Sequence, residues 1–153
     1  MRVLGIDYGA RRVGLAVSDA SGTLARPLLT LDRGALPDDG RVVGAVLDIV
    51  ARLADEGDPV RRLVVGLPRR LDGSANDQTP KVEGFVRLLA ARAGLPVTLE
   101  DERLSSREAE SRLALREKSW RRRKEKLDAA AAAVILQDYL DRQRPALLDP
   151  DGV

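Results

Sequence analysis

The stretch Met1-Arg-Val-Leu-Gly-Ile-Asp-Tyr-Gly-Ala-Arg-Arg-Val-Gly-Leu-Ala-Val-Ser-Asp19 decides the fold. Val3 to Ile6 is an apolar strand-forming run, Tyr8 to Arg11 a glycine-containing turn, and Arg12 to Val17 a second apolar run, so the chain opens with a β-hairpin. Asp7 ends the first strand. Taking an ionised carboxylate out of water costs several kcal/mol unless a cation or several donors meet it, so Asp7 needs a partner.

Working outward, Leu24 to Leu31 reads as a third strand and the turn-rich segment to Gly40 as a loop. Val42, Val43, Val46, Leu47, Val50 and Leu53 then recur at helical spacing until Gly57. Arg62 to Gly66 is a short strand running into the basic, turn-rich loop 67–76. A second helix follows, capped by Asp77 or Thr79, with Pro80 in its first turn, an apolar stripe of Val82, Phe85, Val86 and Leu89, and Gly94 at its end. Val97 to Leu99 is a fifth strand. Ser105 and Glu108 match a capping box for a helix to about Arg116, a basic loop comes next, and Leu127 to Leu140 forms a last helix. Its five consecutive alanines permit close approach to a neighbouring surface. The order βββαβαβαα is that of an α/β domain, a mixed five-stranded sheet flanked by helices over residues 1–144, with 145–153 as a flexible tail.

Composition narrows the chemistry. The chain has 153 residues, 44% hydrophobic and 33% charged, which suits one domain, and only 3% aromatics, which leaves few rings for base stacking. It holds neither cysteine nor histidine. That excludes disulfides, thiolate and imidazole metal ligands, and histidine-dependent nucleophilic catalysis. Any metal site is therefore built from oxygen, which favours Mg²⁺ or Mn²⁺. With no signal peptide and no run approaching ~20 apolar residues, a cytoplasmic location away from membranes is expected. Net charge is +2, but Arg116 to Lys126 alone carries +5 and leaves the remainder at −3.

Three carboxylates stand out: Asp7, Glu102 just past the fifth strand, and Asp128 in the first turn of the last helix. Singly, each has a plain structural reading. Asp7 serves equally well as a cap of the following turn, Glu102 as a surface partner of Arg103 or Arg107, and Asp128 as a helix-dipole residue. Jointly they point elsewhere. If the first and fifth strands run parallel in one sheet, both open on the edge where α/β proteins bind ligands. Two carboxylates ~4 Å apart repel by roughly 4 kcal/mol at an effective dielectric near 20, which divalent cations relieve. Two such ions suit phosphodiester hydrolysis, holding both the attacking water and the leaving oxygen. Arg11 in the hairpin turn, Arg69 and Arg70 in the following loop, and Arg121, Arg122, Arg123, Lys124 and Lys126 in the basic segment are the candidate phosphate contacts.

Five ordered motifs carry a resemblance: Gly5-Ile-Asp-Tyr-Gly9, Arg12-Val-Gly-Leu-Ala-Val-Ser-Asp19, Val65-Gly-Leu-Pro68 with Asp72-Gly-Ser74, Asp101-Glu-Arg-Leu-Ser105, and Lys126-Leu-Asp-Ala-Ala130. Over residues 2 to 142 the chain resembles the YqgF-type family, described as pre-16S rRNA nucleases and as Holliday-junction-resolvase-like proteins with a ribonuclease H-type fold. The resemblance implies that Asp7, Glu102 and Asp128 form an acidic active site binding Mg²⁺ or Mn²⁺; Arg103, next to Glu102, joins the candidate contacts to nucleic acid. It favours pre-16S rRNA as the partner over branched DNA. Two departures are Ala10, where the family carries a polar turn residue, and Ser106, where threonine is frequent.

Two other classes compete. Actin-like kinases open with a similar hairpin, but they close two lobes around ATP, and this chain has one hairpin and no second phosphate motif. A non-catalytic ribosome-assembly module of the same fold is the other, and the intact acidic trio counts against it.

Overall fold

A computed structural model describes residues 2–68, 74–101 and 120–143, with side chains in the last span from Asp128 onward. Strands β1 (Arg2–Tyr8), β2 (Arg12–Ser18) and β3 (Ala25–Asp32) form the expected meander. Helix α1 (Asp39–Asp55), strand β4 (Val60–Leu67), helix α2 (Thr79–Ala93) and strand β5 (Val97–Asp101) follow, and helix α3 (Trp120–Gln143) closes the described chain. The expected helix from Ser105 to about Arg116 and the tail 145–153 lie outside the described residues.

The sheet order is β3-β2-β1-β4-β5. β1 pairs antiparallel with β2 and parallel with β4, and β4 pairs parallel with β5, so the sheet is mixed as expected. The parallel half is what a helical crossover between consecutive strands produces. Its registers align the three strand ends: Ile6 lies beside Val65, and Leu67 beside Asp101, so β1, β4 and β5 finish on one edge.

Alternation divides the strands between two cores. Leu4, Ile6, Val13, Leu15, Val17, Leu63 and Val65 face α1 and α2, meeting Val42, Val46, Phe85 and Leu89. Val3, Ala16 and Val64 face α3, meeting Ala132, Ile135, Leu136 and Tyr139. The second layer is thin because its contact residues are small. A Cβ on Gly5 would stand 2.8 Å from the Leu136 Cβ, and a Cβ on Gly14 would stand 2.0 Å from the Asp128 carbonyl oxygen. The alanine run of α3 thus seats its backbone almost on the sheet.

Two expectations are corrected. The basic segment is not a loop from Trp120 onward: residues 120–127 are the first two turns of α3. Arginine, lysine, glutamate and leucine are good helix formers and no glycine or proline interrupts them, so the charge run extends the helix. At α2, neither Asp77 nor Thr79 is the cap. The N-cap position is Gln78, which makes no side-chain capping bond, and Asn76 Oδ1 accepts from the Gln78 and Thr79 amides at 2.9 and 3.0 Å. Thr79 instead donates its hydroxyl to the Pro68 carbonyl at 2.5 Å, tying α2 to the end of β4.

Candidate active site

Asp7 is the penultimate residue of β1, and alternation puts it on the α3 face with Val3 and Gly5. Its cross-strand partner is Gly14 of β2. Because Gly14 has no side chain, the backbone of Asp128 settles directly over it. Two carboxylate-bearing residues 121 positions apart in sequence are thereby brought to one spot at the edge of the sheet. Both are half-buried.

A guanidinium completes this spot. Arg12 begins β2 two residues from Gly14, on the same face, and its Nη1 lies 3.9 Å from Asp128 Oδ2. Side-chain exposures of 25% and 31% leave this pair partly shielded, so the attraction exceeds that of a fully solvated pair. A cleft of about 390 Å³ lined by Arg12, Leu28, Thr30, Asp32 and Ala129 opens beside it. Sequence reading missed Arg12 because its partner is far away along the chain. An arginine at a strand start otherwise looks like a solvated terminus.

The opposite face of the same strand end is fixed by a polar network. Tyr8 donates its hydroxyl to Asp39 Oδ1 at 2.5 Å, and Arg33 Nη1 donates to the Tyr8 oxygen at 3.0 Å and to the Gly9 carbonyl at 3.3 Å. Arg33 also pairs with Asp39 at 3.3 Å, its guanidinium lies 5.0 Å from the Tyr8 ring centroid, and the Tyr8 ring stacks on Phe85 at 4.5 Å. Burial foremost, then the bond to the Asp39 carboxylate, raises the Tyr8 pKa, partly offset by Arg33. The hydroxyl stays protonated and the turn after Asp7 is held from both sides. None of this network was visible in the sequence, since its members lie on β1, the β3–α1 connection and α1.

Glu102 follows β5 directly and lies outside the described residues, as do Arg69, Arg70 and Arg103. Arg121, Arg122, Arg123, Lys124 and Lys126 belong to the first two turns of α3, just ahead of Asp128, with side chains outside the described set. Arg11 is exposed at the hairpin tip, close to Arg12 and Arg33 around a shallow hollow. Glu100, which sequence reading passed over, stands one strand beyond β4 in the row of Gly66, 6% exposed and paired with Arg142 of α3. Its guanidinium partner makes it a tether between sheet and helix. Among the described residues no three acidic groups cluster closely enough to form a metal cage; Asp7 and Asp128 are the two expected site carboxylates that fall within them.

The five-stranded mixed sheet with its flanking helices is a frame shared with a solved resolvase. T. thermophilus RuvC, solved in complex with a Holliday junction substrate, superposes with a TM-score of 0.55 over 94% of this chain and 96% of its own, at 21% identity, a likeness of fold. The chain belongs to the RuvX family, described as Holliday junction resolvase, whose model matches residues 1–142. Relatives named "Putative pre-16S rRNA nuclease" include one from Anaeromyxobacter sp. (strain K), 45% identical over 145 residues that cover 95% of this chain and all of the relative. Another, from Moorella thermoacetica, is 42% identical over 142 residues, covering 93% and 96%. The chain is therefore a nuclease of this family, a hydrolase of phosphodiester bonds, and the kinase alternative falls. No helix among the described residues is long and apolar enough to cross a membrane.

Proposed function

We propose that this nuclease trims precursor 16S rRNA by divalent-metal-dependent phosphodiester hydrolysis, with Asp7 and Asp128 holding the metal and Glu102 completing the ligand set. The observation that supports the reading is the seating of the Asp128 backbone over Gly14, the register partner of Asp7, which brings two carboxylate-bearing residues to the sheet edge. Hard cations suit those donors, and the chain has no imidazole or thiolate to offer instead. Two ions of Mg²⁺ or Mn²⁺ would acidify a water and stabilise the leaving oxygen. Glu102 supports the reading by position, since β5 ends one residue before it at the edge where β1 also ends.

The protein's own part is placement. Tyr8, Arg33 and Asp39 fix the end of β1 behind Asp7, while Arg11 and the basic first turns of α3 attract the polyanion and set its path. Names of close relatives favour precursor rRNA. The family description supports branched DNA as the second reading. Incubating the protein with a precursor carrying the 16S 5′ flank and with a four-way junction, and mapping the new termini, tests the choice. Cleavage confined to the rRNA flank upholds the proposal, and symmetric nicking of the junction alone replaces it with resolution.

A further inference from the structure

We propose that Arg12 is a catalytic residue of this site, whose guanidinium is held against Asp128 in the free protein and grips the scissile phosphate when cations occupy the acidic pair. The inference rests on the nuclease reading above. Three observations carry it. Arg12 shares the α3 face of the sheet with Asp7, because it lies two residues from Gly14, the cross-strand partner of Asp7. Diagonal neighbours of this kind are about 7–8 Å apart at the backbone, well within reach of an arginine side chain. The guanidinium thus stands beside the Asp128 carboxylate and on the same face of the sheet as Asp7.

The second observation is the character of the pair. At 3.9 Å the Arg12–Asp128 contact is an ion pair beyond hydrogen-bond length, and among the described residues the Arg12 guanidinium makes no hydrogen bond. Its five donors are uncommitted to a fixed geometry. A divalent ion on Asp128 removes the charge that holds the guanidinium and repels it, so the two cations compete for one carboxylate. The planar fork matches two phosphate oxygens in a way that a water-solvated ammonium does not.

The third is space. A cleft of about 390 Å³ lined by Arg12, Thr30, Asp32 and Ala129 adjoins the guanidinium, so it has room to turn without displacing core atoms. A guanidinium aimed at the charge that develops on the phosphate in the transition state stabilises it most in such a partly shielded place.

A purely structural counterion and a phosphate-binding residue differ in sign. Mn²⁺ titration by calorimetry and single-turnover cleavage are measured on the wild type, Arg12→Gln, Arg12→Lys and Asp7→Asn, with circular dichroism to confirm folding. Removing a competing cation about 4 Å from the ligand should tighten Mn²⁺ binding about tenfold in R12Q. Cleavage by the same variant should fall by about 10²-fold or more. R12K, which keeps the charge and loses the fork, should bind Mn²⁺ like the wild type and cleave at an intermediate rate. Weaker Mn²⁺ binding in R12Q would show that Arg12 merely positions Asp128, and undiminished cleavage would show that it does not touch the phosphate; either overturns the proposal. A wild type whose Mn²⁺ binding is no stronger than that of Asp7→Asn overturns the metal-site reading itself, and this inference with it.

Discussion

The carbonyl oxygen of Asp128 occupies the space that a side chain on Gly14 would fill, 2.0 Å from where its Cβ would stand. The position of the second carboxylate therefore depends on the absence of an atom from the sheet. Gly14→Ala must lift the N-terminal half of α3, since the obstructing atoms are backbone and cannot rotate away. Overpacking of this kind costs about 1–3 kcal/mol. A displacement near 1 Å costs catalysis about 10²-fold. Urea unfolding and kcat/KM measured together check this. Gly5→Ala, which meets the Leu136 Cβ at 2.8 Å deeper along the helix, should lose comparable stability with a smaller loss of activity.

Asn76→Ala should destabilise the protein by about 1 kcal/mol, because the Gln78 and Thr79 amides at the start of α2 lose their acceptor. Asp77→Ala, which the sequence makes equally attractive as a cap, should cost little. Denaturant midpoints of the two variants separate them.

The first-turn arginines of α3 offer a separate check on the electrostatics. Replacing Arg121, Arg122 and Arg123 by glutamine keeps the helical propensity and removes three charges. If all three meet phosphates, the slope of log K against log salt should flatten by about 2–3. Binding to a precursor fragment measured between about 50 and 200 mM salt gives the answer. An unchanged slope would remove these residues from the interface.

Tyr8 sets a pH dependence. Its folded pKa lies above the ordinary value of 10.0, chiefly through burial and then through the Asp39 bond. Between the unfolded and folded values the native state retains a proton that the unfolded chain has lost, so stability falls as pH rises through that window. Below it the contribution is fully present. Tyr8→Phe keeps the ring stacked on Phe85 and should lessen this alkaline loss while lowering stability at neutral pH by about 1–2 kcal/mol. Thermal unfolding of both proteins from pH 7 to 11 measures it, the range being roughly that of tyrosine ionisation.

Much of the frame was legible in the sequence because it is local. The Val3–Ile6 and Arg12–Val17 runs mark β1 and β2 to within a residue or two, and the α1 stripe at Val42, Val46 and Leu53 is buried as its spacing requires. The basic run was misjudged because high charge marks solvation, which a helix surface satisfies as well as a loop does. Asp7 and Asp128 could be singled out by their places at a strand end and a helix start. Arg12, Glu100 and the Tyr8–Arg33–Asp39 network could not, since each owes its role to a partner brought in by the tertiary fold.

The most direct test of the account is single-turnover cleavage of precursor rRNA in Mg²⁺ or Mn²⁺ by the wild type, Asp7→Asn and Asp128→Asn. Each substitution keeps the shape and removes one charge from the pair over Gly14, and each should slow cleavage by about 10³-fold, with Mn²⁺ binding weakened in step. Cleavage at the wild-type rate in both variants would contradict the acidic pair as the site of reaction.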